Sequence, residues 1–187
     1  MVSLMSLWLP ILLAAVFVFI VSSIIHIVLT YHQNDYAALP RQDEIAAALR
    51  PFAIPPGQYI LPKPASPKDM KTPEFQDKLK AGPVAMLTVF PNRPFTMNTQ
   101  LVQWFVYCVV IGLFAAYVAS RTLAPGTEYL QVFRITGTVA FAGYGLGQVQ
   151  DAIWSGARWS TTFKALFDAL IYALFTAGTF GWLWPSM

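Results

Sequence analysis

The sequence predicts a mainly α-helical fold: a four-helix transmembrane bundle with a small, irregular α+β extramembrane insert between its first and second spans. Three observations predict it. Apolar runs at residues 4–30, 101–120, 132–149 and 163–184 reach or approach the roughly 20 helical residues that cross a bilayer core of about 30 Å. Hydrophobic residues make up 56% of the chain and charged ones 11%, against roughly 25% charged in a soluble domain. Prolines recur every few residues from Pro40 to Pro94, a spacing that no long helix survives. The chain therefore divides into a first anchor at 1–31, a proline-rich insert at 32–100 and a three-helix transmembrane hairpin bundle at 101–187.

The first span has no basic side chain in its first ten residues and is far longer than the apolar core of a secretory signal, so it reads as a retained anchor. Trp8 and Tyr31 are about 35 Å apart along a helix, which suits an aromatic belt at each interface. Eight of the twelve basic residues fall in the insert beside six acids. That mixture is a solvated surface and excludes a nucleic-acid patch. Two short helices fit the insert, at 43–49 and 73–79. The second has Thr72 as N-cap, Pro73 at its first position and Glu74 in its first turn. The β-branched and aromatic runs 58–61 and 84–90 read as strands. So little apolar material implies packing against the bundle or a partner.

The last three spans are joined by short loops, 121–131 and 150–162, and are expected to be antiparallel neighbours. The second carries a small-residue face of Cys108, Gly112, Ala115 and Ala119. The third carries another of Thr136, Ala140, Gly143 and Gly147, with Gly143 and Gly147 as a GxxxG pair. Gly143, Tyr144 and Gly145 echo a potassium-channel filter but lack its pore helix. These glycines are instead expected to loosen the end of that span. The single cysteine, Cys108, lies mid-span and says nothing of redox compartment.

Ionisable groups inside spans are the first pointer to function in a membrane protein. On the fourth span Asp168, Tyr172, Thr176 and Thr179 continue a polar stripe begun by Lys164. Asp168 is expected to pair with Arg158 or Lys164, and Arg134 to snorkel or to meet Glu128 or Gln131. His32 with Asp35 is a two-ligand fragment. If the first helix continued, His26 and His32 would point about 240° apart and could not share a metal, so neither a metal nor a cofactor is expected. The loop Asp151, Trp154, Arg158, Trp159 concentrates an acid, an arginine and two indoles, able to grip a lipid headgroup or serve as an aromatic belt. Nucleophile, zinc, phosphate-loop and dinucleotide motifs are absent, and no enzymatic activity is expected.

The run Phe167 to Tyr172, the ending Gly178 to Pro185 and the loop Trp154 to Trp159 resemble small multi-pass bacterial inner-membrane proteins of unassigned function. The resemblance implies a bacterial cytoplasmic membrane and carries no site residues.

The expected function is association: a subunit, assembly factor or scaffold using its small-residue faces and insert, with the lipid bilayer, copies of itself or other membrane subunits as partners. Permeation along the Asp168 stripe is the alternative. Haem ligation by His26 or His32 is a third reading. Acidic residues soon after Tyr31 place both termini in the cytoplasm and the insert outside.

Overall fold

The computed structural model describes residues 1–94 and 96–186. It is mainly helical, with one two-stranded sheet. Three helices are long and apolar enough to cross a membrane: Leu4–Val28, Asn98–Thr122 and Trp159–Trp182.

The first of these contains α1 (Trp8–Ser23) and ends in a π-helical turn, Ile24–Val28. The chain leaves it at Leu29, whose backbone is extended. Turns then follow, with Gln33 N–H donating to Thr30 O and Asp35 N–H to His32 O, each at 3.1 Å.

Residues 37–95 form a separate compact unit. It holds α2 (Gln42–Leu49), β1 (Gly57–Leu61), α3 (Pro73–Ala81) and β2 (Ala85–Val89). The strands pair antiparallel with Tyr59 opposite Leu87. Thr72 caps α3, its Oγ1 accepting from Phe75 N–H at 3.3 Å. Among the described residues Phe75 is the only apolar side chain of this unit that is buried, which is a small core for so long a stretch.

The remaining helices are α4 (Asn98–Thr122), α5 (Tyr129–Phe141), α6 (Gly147–Trp154) and α7 (Trp159–Trp182). The expected third span, 132–149, is distributed over α5, a π-helical turn at Ala142–Leu146 and α6. The stretch from Tyr129 to Trp154 is helical throughout, roughly 39 Å at the α-helical rise, but none of its pieces is long enough alone. The helices close a ring in which α1 and α5 each pack on both α4 and α7. Neighbours are antiparallel. On α1 and α4, Ile11 meets Gly112 and Ser22 meets Trp104; on α5 and α7, Gly137 meets Ala177.

Small residues let the helices of this ring approach closely. A Cβ on Gly112 would lie 3.3 Å from the Ile11 carbonyl oxygen, and one on Gly143 would lie 2.4 Å from Ile111 Cδ1. Cys108, Ala115 and Ala119 are fully enclosed. Gly147 departs from the expected packing face: it is exposed and a Cβ there would meet nothing. The π turn explains this, because its wider winding rotates the helix face, turning Tyr144 and Gly145 inward and Gly147 outward. Tyr107 bridges α4 to that turn by donating to the Gly143 carbonyl at 2.6 Å.

Candidate functional site

The C-terminal end of α1 and the first turns of α7 meet at one end of the bundle, and charged groups collect there. His26 sits on the π-helical turn that ends the first helix. Because Leu29 breaks the helix, the following turns carry Tyr31, His32 and Asp35 back over the bundle. The two imidazoles, expected to diverge, have ring centroids 4.5 Å apart. On α7, Asp168 is buried with its side chain 4% exposed.

His32 bridges two carboxylates: its Nδ1 lies 2.5 Å from Asp35 Oδ2 and its Nε2 lies 2.8 Å from Asp168 Oδ2. Tyr31 donates its hydroxyl to the other oxygen of Asp168. Lys164 donates to Asp35 Oδ1 at 2.6 Å and to the Tyr31 carbonyl. The expected partners of Asp168 are thus replaced: Lys164 holds Asp35 instead, and Asp168 is held by Tyr31 and His32. Arg158 and Arg134 are exposed, with no side-chain ion pair among the described residues.

Burial pushes the Asp35 carboxyl up, but the hydrogen bonds and charges of Lys164 and His32 outweigh it and leave it below the usual carboxylate range. Burial, then the hydrogen bond to Asp168 and the negative charge around it, raise the Tyr31 phenol above its ordinary value. Tyr31 therefore stays a proton donor to Asp168 at neutral pH.

The charge balance is incomplete. Asp35 and Asp168 supply two negative charges and Lys164 one positive. An imidazole facing carboxylates with both nitrogens satisfies them only when each nitrogen carries a proton, or when a cation replaces one of those protons. His26, His32 and Asp168 each offer a ligand atom, and the three atoms lie within 4.8 Å of one another.

A cavity of about 410 Å³ opens beside these groups, its other wall formed by Trp104, Tyr107, Tyr144, Tyr172 and Gln148. Tyr172 reaches to 3.4 Å from His26 Nε2. The rest of the stripe lies further along α7. Thr176 and Thr179 are buried and donate to the Tyr172 and Phe175 carbonyls one turn back, at 2.9 and 2.8 Å. Beyond them the core closes with Phe180, Leu7 and Val132, none of them exposed. In the loop group Asp151, Trp154, Arg158 and Trp159 are all exposed, Trp154 by 82%.

Sequence reasoning paired His32 with Asp35 and named His26, Lys164 and Asp168, but missed the union of all five. It treated Tyr31 only as a belt residue. The helix stop after Val28 was the one local signal available, in the β-branched Thr30 and the turn-forming Asn34 and Asp35.

Comparison with protein-family models, curated proteins and solved structures found no match to this chain.

Proposed function

We propose that this chain is a four-span membrane metalloprotein that holds a divalent first-row transition metal between His26, His32 and Asp168. The observation that carries the reading is the convergence of those three donors while the second nitrogen of His32 is held by Asp35 at 2.5 Å. A ligating histidine characteristically hands its other N–H to a carboxylate, which fixes its tautomer and orientation. Lys164 fixes that carboxylate in turn. Two imidazoles and one carboxylate suit zinc, iron or copper rather than calcium or magnesium, and three protein ligands leave a coordination position open. All three donor residues line the cavity, from which a further ligand would reach the ion. Bonds of about 2.0–2.2 Å require the donors to draw closer together, and His26, exposed on a widened turn, is the one free to move.

Several features support four crossings. The helical stretch from Tyr129 to Trp154 lies antiparallel to α7, with Tyr129 packed near Gly181 and Gly145 packed on Ala169. Its length matches that of its neighbours. The membrane is the bacterial cytoplasmic one, with the site at its periplasmic end and both termini cytoplasmic, as the resemblance and the charges after Tyr31 suggest. Support for association as the main function is thinner. The small-residue face of α4 is consumed inside the chain, and on α5–α6 Gly147 alone of the expected face lies exposed.

The test is metal content. The full chain, purified in mild detergent, loaded with zinc and desalted, is expected to retain one ion per chain. The variant His26→Ala, His32→Ala, Asp168→Asn is expected to retain none. Equal retention by the two proteins overturns the reading.

A further inference from the structure

Arg134 is a fixed positive charge that the metal reading does not use. It stands on α5 about a turn and a half in from Tyr129, exposed and without an ion pair among the described residues. Tyr129 packs near Gly181 and Gly137 on Ala177, so Arg134 lies level with the last turns of α7. A charge at the edge of a span is costly unless an anion or water meets it. Arg134 also lines one end of a groove of about 320 Å³ between α5 and α7, whose walls are otherwise apolar apart from Thr138. The Thr138 hydroxyl donates to the Arg134 carbonyl at 2.7 Å, which leaves the guanidinium as the available donor of the groove.

A second apolar groove, of about 460 Å³, lies on the other flank of α7, with Phe17 of α1 in its wall. The two grooves share Leu174. On the wheel of α7, residues 170, 173 and 177 fall to one side of Leu174 and 175, 178, 179 and 182 to the other. Trp182, 70% exposed, lines the second groove at the same end of α7 as Arg134, where an indole suits a membrane interface. Together the grooves occupy Leu170 to Trp182, about 18 Å of helix, which is close to one leaflet of a core about 30 Å thick.

We propose that this face of the bundle holds one anionic diacyl phospholipid, its phosphate on the Arg134 guanidinium and one acyl chain along each groove, astride Leu174. Charge selects the head. A guanidinium meets a phosphate through paired hydrogen bonds, and no carboxylate of this chain competes for it among the described residues. Shape selects the tails, because two apolar grooves divided by one ridge match a molecule with two parallel chains and a single polar end. The competing occupant is a helix of a second copy. In a copy inserted the same way, the acids of the spans, Asp151 and Asp168, lie toward the opposite end of the bundle, so no carboxylate within a span reaches the depth of Arg134.

The lipid face shares no ligand with the metal site, but it depends on the crossing proposed for Tyr129 to Trp154. Single-cysteine labels at residues 127 and 155 test that crossing separately. For the lipid, the full chain in mild detergent is offered phosphatidylglycerol and phosphatidylcholine with the same acyl chains, and the lipid retained is counted by native mass spectrometry. The unmodified chain is expected to keep one phosphatidylglycerol, favoured about fivefold over phosphatidylcholine, the preference that one arginine near a membrane surface confers. Arg134→Gln is expected to reduce retention of phosphatidylglycerol to that of phosphatidylcholine, with the lipid-free melting temperature unchanged. Arg158→Gln, which removes an arginine from the other end of α7, is expected to leave the preference intact. Thr138→Trp, which fills the first groove, is expected to lower retention of both lipids, and lysophosphatidylglycerol, with one chain, is expected to be held less well than the diacyl form.

Equal retention of the two lipids by the unmodified chain overturns the proposal, as does a preference that Arg134→Gln keeps or that Arg158→Gln also loses. A one-chain lipid held as well as the diacyl form overturns it, and so does unaltered retention in Thr138→Trp. If Arg134→Gln melts lower without lipid, or breaks a dimer, the guanidinium has a protein partner and the lipid is rejected. Zinc retention without lipid preference rejects this inference alone, and lipid preference with no zinc retention rejects the metal reading alone.

Discussion

Asp35 touches no proposed open position, yet it is the residue on which the orientation of His32 depends. Asp35→Asn is expected to lower zinc affinity about 10- to 100-fold, read by competition with a chelator, while metal still binds at saturating concentration. An affinity equal to that of the unmodified chain excludes the orienting role. The His32 and Asp35 pairing was legible in the sequence, because three residues separate them and either a turn or a helix brings such groups together. The approach of His26 was not. It depends on whether the helix runs on past Val28, and one extended residue, Leu29, reverses the answer that helical phase predicts. The partner of Asp168 was illegible for another reason. Lys164 stands one turn away on the same helix and is the obvious choice, but it is drawn to Asp35 and the Tyr31 carbonyl, groups more than a hundred residues distant in sequence.

At the scale of elements, the two π-helical turns stand at the site. One carries His26 and the other Tyr144. Such turns cost helical hydrogen-bond geometry and are frequent where function requires a side chain out of regular phase. The glycines around Tyr144 marked the second turn in the sequence as a loosened stretch, whereas Ile24 to Val28 is β-branched and apolar apart from His26, with no glycine or proline to announce the first. Gly112 and Gly147 separate true packing from apparent packing. Gly112→Val is expected to cost about 1–3 kcal/mol through overpacking against the Ile11 backbone and to lower the melting temperature in detergent. Gly147→Val is expected to stay within about 0.5 kcal/mol. If both variants melt alike, the assigned faces are wrong. The GxxxG pattern misled because spacing by four presumes an unbroken α-helix, and the inserted π turn removes that premise.

For the molecule as a whole, four apolar runs and the proline-rich stretch were legible directly from composition and length, because bilayer thickness converts residue counts into architecture. Whether the stretch from Tyr129 to Trp154 crosses the bilayer can be read by labelling. Single cysteines replacing Thr127 and Ser155 are expected to react with a membrane-impermeant maleimide from opposite sides of sealed vesicles. Buried Cys108 contributes no background. Labelling from the same side removes the fourth crossing and with it the bundle as proposed.

The order in which this chain leaves the ribosome gives the position of Asp168 a temporal meaning. His26 and His32 emerge early, but their third partner belongs to α7, so the proposed site is incomplete until that helix has been inserted and has docked beside the first. An ion that binds only the docked arrangement would stabilise it by mass action and thereby join the first helix to α7. Metal occupancy would then report that docking, and a protein stalled before α7 would remain empty however much metal surrounded it.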